Sequence, residues 1–407
     1  MTTDTRHVVD ARAVAGAVTS GCEDTSVRVC IVYDCLFPYT VGGAERWYRN
    51  LAERMVLHGH DVTLLTLRQW ERGAEPDLPG LRVVSAGPRM ALYARAGRRR
   101  IVPPVVFGIG VLLHLLRHRG RYDVVHTSSF PYFSLLAAAV ARRRGGYRIV
   151  VDWAEVWTRV YWREYLGQVG GRIGWQVQRA CLGVQQRAFC FSRLHERRLR
   201  ELGIRGELTR LEGLYAGPSE PLATEKPQPV VVFAGRHIPE KQVPTLVPAL
   251  ALARERIPDL RGEIYGDGPE REEVLRSIAT LGLEDWVSAP GFVDGEIVER
   301  ALSMALCLVL PSKREGYGLV VVEAASRGVP TVVVEGPDNA ATELVEDGVN
   351  GSVAPSTAAP DLAEAILAIH AAGSTIREST ANWFRTNAAR LSIDSSLERV
   401  LEAYADA

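Results

Sequence analysis

The chain of 407 residues is poor in the features that mark several protein classes. Its six cysteines, Cys22, Cys30, Cys35, Cys181, Cys190 and Cys307, include no Cys-x-x-Cys pair and no His/Cys spacing suited to zinc. That pattern argues against a zinc site and fits a reduced, cytoplasmic compartment. Charge of one sign is not in excess either: Lys+Arg and Asp+Glu both number 48, so no global field would hold nucleic acid along the molecule, and any anion site must be local. The first residues lack a basic stretch followed by an unbroken apolar core, which argues against a signal peptide, and 1–26 reads as a loose tail. There is no internal repeat and no low-complexity tract.

Long hydrophobic runs are also missing. The apolar stretch from Ile101 to Leu116, broken by Pro103 and Pro104 and flanked by arginines, is too short to span a bilayer. It reads as a buried helix ending in basic residues; the second reading of 101–121 is a helix that docks peripherally on an anionic membrane surface.

What is present is a composition that folds. Hydrophobic residues make up 47% of the chain and charged residues 24%, enough for one or two cored domains, and the length favours two. From Val27, VRVCIVYD, a Gly-rich loop and ERWYRNLAERMVLHGHDVTLLTL read as strand, turn, amphipathic helix closing near Gly59, and strand: a βαβ unit. Further strands are expected at Asp123–Ser129 and Tyr147–Trp153, with a helix between, so 27–215 reads as a parallel α/β domain. Between Tyr215 and Pro229 lie Pro218, Pro221, Pro227 and Pro229 without periodic apolar residues, which marks 216–229 as a linker. A second βα series follows through VVVFAGRH, RGEIYGDG, WVSAPGFV, ALCLVLPS and PTVVVEG, giving a second domain over 230–380. The remainder, 381–407, ends in a short amphipathic helix that could pack on either domain, a crossing back to the first among them.

Chemistry concentrates at the ends of these strands. In FAGRHIPEKQ, Arg236 and Lys241 lie on the loop leading from a strand into a helix, where two cations beside free N–H groups make a diphosphate site; their ordinary reading is a solvated charge pair. GDGPE, 266–270, reads as a βα turn with Pro269 at the first helical position, with a secondary role in shaping a nucleotide pocket. In REGYGLVVVEAASRGVP a parallel crossover is required between two strands, so Gly318–Arg327 is helical despite its three valines, ended by Gly328 and barred by Pro330. Glu315 then sits on a loop at the sheet edge, and Glu323 about 12 Å further along, with free N–H groups of Gly316, Tyr317, Gly318 and Leu319 between them. A sugar nucleotide has that shape.

In the first half, Gly42 and Gly43 allow close approach to the backbone before a helix, and His126, Ser128, Asp152 and Glu155 stand near strand ends. Trp153, Trp157 and Trp162 in DWAEVWTRVYW are the best sugar-contacting wall, or simply core.

In this order, GGAER, GRHIPEK, GDGPE, PSKREGYGLVVVEAASRGVP and ELVEDGVNG resemble the family 4 glycosyltransferases over nearly the whole chain after the tail. The resemblance implies an α/β GT-B fold, two facing Rossmann-like domains with a cleft between them. It implies transfer of a sugar from a nucleoside diphosphate sugar to a hydroxyl acceptor, with retained anomeric configuration and no metal or other cofactor; no Asp-x-Asp motif stands where a metal would matter. By the same resemblance Arg236 and Lys241 hold the donor diphosphate, Glu323 the ribose hydroxyls, and Glu315 with the N–H groups of Gly316 to Leu319 the sugar and phosphate. Gly235 lines the donor site, and the Gly42 and Gly43 loop closes over phosphates or acceptor. The chain departs from the family pattern at Ser128 and at or near Asp152, where many members carry histidines; Asp152 and Glu155 would take part of that acceptor-side role. Two rival readings on this fold are an epimerase or a pyridoxal-dependent phosphorylase, and a third is a non-catalytic sugar-nucleotide binder.

Overall fold

A computed structural model describes residues 26–92, 99–222 and 226–405. The tail expected over 1–26 therefore lies, but for Ser26, outside the described residues.

The first half alternates strands and helices: β1 (Arg28–Val32), α1 (Gly43–Leu57), β2 (Asp61–Thr66), β3 (Leu81–Ser85), α2 (Val102–Arg117), β4 (Val124–Ser128), α3 (Phe133–Gly145), β5 (Arg148–Trp153), α4 (Arg159–Leu182), β6 (Gln186–Cys190), α5 (Arg193–Glu201) and β7 (Gly206–Arg210). The seven strands form one parallel sheet in the order β3-β2-β1-β4-β5-β6-β7. Helices cover both faces, which favours near-continuous apolar runs in the inner strands, and Val29, Cys30, Ile31 and Val32 of β1 are all fully buried. The five described cysteines, Cys30, Cys35, Cys181, Cys190 and Cys307, are buried and unpaired.

The second half repeats the plan with β8 (Val230–Ala234), α6 (Leu246–Arg254), β9 (Arg261–Tyr265), α7 (Arg271–Leu281), β10 (Val287–Gly291), α8 (Gly295–Met304), β11 (Cys307–Leu310), β12 (Arg314–Glu315), α9 (Leu319–Ala325), β13 (Thr331–Val334), β14 (Asp338–Asn339) and β15 (Gly351–Ala354). Six strands pair in parallel as β10-β9-β8-β11-β13-β15, and β12 with β14 makes a small separate ladder. The valine-rich segment is the crossover helix α9: Val321 and Val322 are buried, and Gly328 adopts φ 63 where the chain turns toward β13. Pro269, expected at the first helical position, lies in the turn instead, and α7 starts at Arg271.

The chain ends in α10 (Ala359–Leu391) and α11 (Ile393–Ala405). The kink of α10 is at Gly373, φ 59, and helix continues through 380 and 381. Its second part returns to the first half, where Phe384 packs edge-on against Tyr215, 5.5 Å between centroids, and at the start of α11 Ile393 N–H donates to Tyr215 O at 2.8 Å. α11 then lies under the first sheet, with Tyr404 buried beside His126.

Candidate active site

The second sheet reverses its order between β8 and β11, so the loops leaving the carboxyl ends of these strands, 235–241 and 311–318, part there and leave a crevice. The first sheet reverses between β1 and β4, which places the loop carrying Gly42 at its own switch point.

The loop after β8 is shaped by backbone contact with the turn after β9. His237 N–H donates to Asp267 O at 2.9 Å, and Glu270 N–H returns to His237 O at 3.0 Å. A Cβ on Gly266 (φ 117) would lie 1.8 Å from Gly235 O, and one on Gly268 (φ 153) 2.4 Å from His237 O, so this approach needs glycine on both grounds. Arg236 is exposed on this loop. Lys241 does not lead straight into a helix: it closes a short 3₁₀ turn, and a second such turn through Val243–Thr245 precedes α6. Its Nζ donates to Glu315 Oε1, which also accepts Ser312 Oγ–H at 2.8 Å. Glu315 is buried, and Lys241 and Ser312 supply the hydrogen bonds that a buried carboxyl oxygen requires.

Gly318, at φ 100, starts α9, so the N–H groups of the first turn have no carbonyl behind them within the helix. The Tyr317 side chain turns away, donating to Glu212 O at 2.6 Å, and leaves only its backbone at the crevice. Glu323, on the far end of α9, meets the first half: Arg46 Nη1 lies 2.9 Å from its Oε1. Arg46 belongs to the first turn of α1, three residues after Gly43, on which a Cβ would meet nothing within 4 Å. Glu315 and Glu323 thus face different partners, Lys241 and Arg46.

Arg314 joins the two halves beside this crevice. It is buried, its Nε donates to Glu155 Oε2 at 2.9 Å, and its guanidinium lies 3.9 Å from the Tyr161 ring centroid. Burial would raise the Glu155 carboxyl, but Arg314, with help from His195 and Trp157, holds it below the usual carboxylate range. Tyr161 Oη–H donates to Glu240 at 2.6 Å, and both oxygens of Glu343 accept the first N–H groups of α5, from Arg193 at 2.7 Å and Leu194 at 2.8 Å. A carboxylate from one half thus caps a helix of the other.

Two groups of residues expected near the acceptor lie in buried surroundings. His126 and Asp152 do not line the crevice: both are buried, with His126 Nδ1 2.7 Å from Tyr404 Oη and Nε2 2.9 Å from Asp152 Oδ1, off-line for a hydrogen bond, while Trp47 Nε1–H donates to Asp152 Oδ2 at 2.7 Å. Ser128, the last residue of β4 and paired in register with Asp152, is buried too. Their neighbours are apolar rings and α11, which is why a polar constellation at a strand end became a core network. Of the tryptophan wall, Trp153 and Trp162 are core; Gly174 makes room for Trp162, whose ring a Cβ there would approach to 2.3 Å. Trp157 alone is partly open, packed on Phe130, Tyr161 and Tyr165.

Arg46, Ser312, Arg314 and Glu343 were not singled out from the sequence. Arg46 and Glu343 sit inside the segments GGAER and ELVEDGVNG, so their positions were visible; their partners, 277 residues away for Arg46 and 149 and 150 for Glu343, were not. Among the described residues no group of three or more His, Cys, Asp or Glu is gathered to hold a metal ion. Among them also, no helix is long and apolar enough to cross a membrane.

Comparison with known proteins agrees with this geometry. The family described as Glycosyl transferases group 1 matches residues 219–388, and the Glycosyl transferase 4-like domain matches residues 42–211. An alpha-D-kanosaminyltransferase of Streptomyces kanamyceticus is 34% identical over 139 residues, 34% of this chain and 36% of that protein. A GDP-mannose-dependent phosphatidylinositol monomannoside mannosyltransferase of Mycolicibacterium smegmatis is 34% identical over 137 residues, 32% of this chain and 35% of its own. The matched segments therefore span about a third of these relatives. Over whole chains, the sucrose-phosphate synthase of Thermosynechococcus elongatus superposes with a TM-score of 0.76 at 19% identity, covering 93% of this chain and 98% of that one. Anabaena HepE, solved in complex with UDP-glucose, gives 0.70 at 16% identity, covering 94% and 100%. Two family matches end to end over two switch-point sheets, in the fold of these structures, place the chain among the family 4 glycosyltransferases of GT-B fold.

Proposed function

We propose that the protein transfers a sugar from a nucleoside diphosphate sugar to a hydroxyl acceptor with retention of anomeric configuration. The observation that carries this reading is the meeting of Lys241, Ser312 and Glu315 at the second sheet's switch point, with Glu323 at the other end of α9. Glu323 would hold the ribose hydroxyls, Arg236 and Lys241 the diphosphate, and Glu315 with the N–H groups at Gly316 to Leu319 the sugar and its phosphate. Gly235 and the loop of Gly42 and Gly43 complete the walls.

In the reaction the bond from the anomeric carbon to the diphosphate oxygen breaks and one to the acceptor oxygen forms on the same face. The acceptor's proton passes to the departing phosphate. Negative charge on that phosphate grows in the transition state, and cations already fixed around it lower the barrier because they need not reorganise. Glu155, held ionised by Arg314 beside Trp157, is the acid of the first half left near the acceptor side once Asp152 is assigned to the core. No metal or further cofactor enters this scheme.

The direct test is thermal stabilisation by a panel of nucleoside diphosphate sugars, since a ligand that binds only the folded state raises its melting temperature by mass action. One donor should stand out and should be consumed when acceptors are supplied. Uniform failure of the panel, with the protein folded, would refute the reading.

A further inference from the structure

α2 is apolar on both of its sides. Its inner stripe, Pro103, Phe107, Val111 and Leu115, is buried. The helix is seated tightly: a Cβ on Gly108 would lie 2.6 Å from Phe133 Cβ of α3, and one on Gly110 1.6 Å from Ala86 O after β3. Yet the outer stripe, Val102, Ile109 and Leu113, is 61%, 55% and 44% exposed, and Ile101 at the N-cap 62%. Positions 102, 106, 109, 113 and 116 fall within about 80° of one another around a helix, so this is one continuous face where a surface helix ordinarily carries polar side chains. Val140 of α3, 61% exposed, extends it.

Basic residues rim this face. Although the whole chain is charge-balanced, 99–148 contains nine arginines and a single acid, Asp123, which is committed to Arg28 at 2.6 Å. Arg100 precedes α2, Arg117 and Arg119 follow its outer stripe, and Arg143 and Arg144 end α3; all five are exposed.

We propose that this face of α2 and α3 docks on a bilayer surface bearing anionic headgroups. The aliphatic side chains would enter the boundary between headgroups and acyl chains, and the arginines would pair with lipid phosphates. With 16 residues α2 is about 24 Å long, which suits a helix lying in the interface. A second copy of the chain fits the face less well, because a twofold contact would set the two arginine rims against each other. The face also borders the crevice: Arg99, just before α2, pairs with Asp34 on the loop that leads to Gly42 and lies 4.9 Å from the Phe130 ring centroid. Docking would bring the first half's side of the crevice to the lipid surface.

The test is cosedimentation of the full chain with vesicles of phosphatidylcholine, with and without phosphatidylglycerol. Binding should be at least about tenfold tighter to the anionic vesicles and should weaken as salt rises. The double variant Ile109→Glu with Leu113→Glu should lose binding to both, and Arg143→Glu with Arg144→Glu should lose the anionic preference, each with an unchanged melting temperature because these side chains are exposed. Absence of binding, or equal binding by all variants, overturns the proposal. So does a dimer in sedimentation equilibrium that the glutamate variant dissociates, which would make the face a self-association surface. No donor or acceptor is present, so the outcome is independent of whether the transfer reading holds.

Discussion

Arg46 on α1 and Glu323 on α9 form an ion pair 2.9 Å long across the two halves of the molecule. The carboxylate proposed to receive the donor's ribose is thus engaged by a cation of the opposite domain, and a ribose bound there would have to displace it. Removing Arg46 removes that competitor. A partly exposed pair is worth roughly 0.5–1 kcal/mol, so Arg46→Ala should tighten binding of the free nucleoside diphosphate by about threefold, whereas Glu323→Ala should weaken it by about tenfold or more. Titration calorimetry separates the two; weaker binding by Arg46→Ala would show that the arginine serves the ligand instead.

Arg236 is exposed, so its replacement costs the fold little. Arg236→Ala should lower kcat by about 10²–10³ with the melting temperature unchanged, as expected for a cation that acts on charge developing in the transition state. Lys241→Ala should lower kcat similarly but also cost about 1–3 kcal/mol, because it strands the buried Glu315 with Ser312 alone. Near-normal turnover in either variant counts against the proposed roles.

Glu343 caps α5 from the other half. Glu343→Ala should cost about 1–2 kcal/mol in urea unfolding and loosen the junction between the halves. A full loss of cap energy without any change in proteolytic sensitivity at the linker would place the effect within α5 alone.

Acid should destabilise the protein well before carboxylates protonate. His195 is buried, and burial pushes its imidazole down to about 4 against the pull of Glu155. The unfolded chain therefore takes up a proton near pH 6.5 that the folded one refuses, so this stability is present above that value and drains away as pH falls toward about 4, by up to about 3 kcal/mol. Glu155, with its folded value depressed, adds a second loss below the usual carboxylate range. Urea midpoints measured from neutral pH downward should fall through this window, and His195→Gln should flatten the upper part. A flat profile would contradict the burial argument.

Tyr404 reports on the buried network around His126. Tyr404→Phe removes the hydroxyl 2.7 Å from His126 Nδ1 and should cost about 1–2 kcal/mol, leaving turnover within about twofold in the folded protein. A large fall in kcat would return His126 and Asp152 to the chemistry.

The family order of motifs, the two βα series and the crossover helix were legible in the sequence because each rests on local rules. Parallel strands must be joined by a helix, which overrode the strand propensity of Val320, Val321 and Val322, and the positive φ of Gly266 and Gly268 follows from a turn that tolerates no Cβ. Arg236, Lys241 and Glu315 could be singled out because they lie on loops at strand ends, and Glu323 because it lies on the crossover helix that follows.

What a residue touches across the molecule was decided only by the tertiary structure. His126 and Asp152 sit at a strand end as an active-site pair would, but α11 returns from the far end of the chain and lays Tyr404 beside His126, so both belong to a buried network. The same holds for the pairs Lys241 with Glu315 and Arg46 with Glu323. Sequence fixes the short-range geometry, because backbone sterics and hydrogen bonding act over a few residues. Long-range partners depend on how two sheets and a crossing helix pack, which no local pattern encodes.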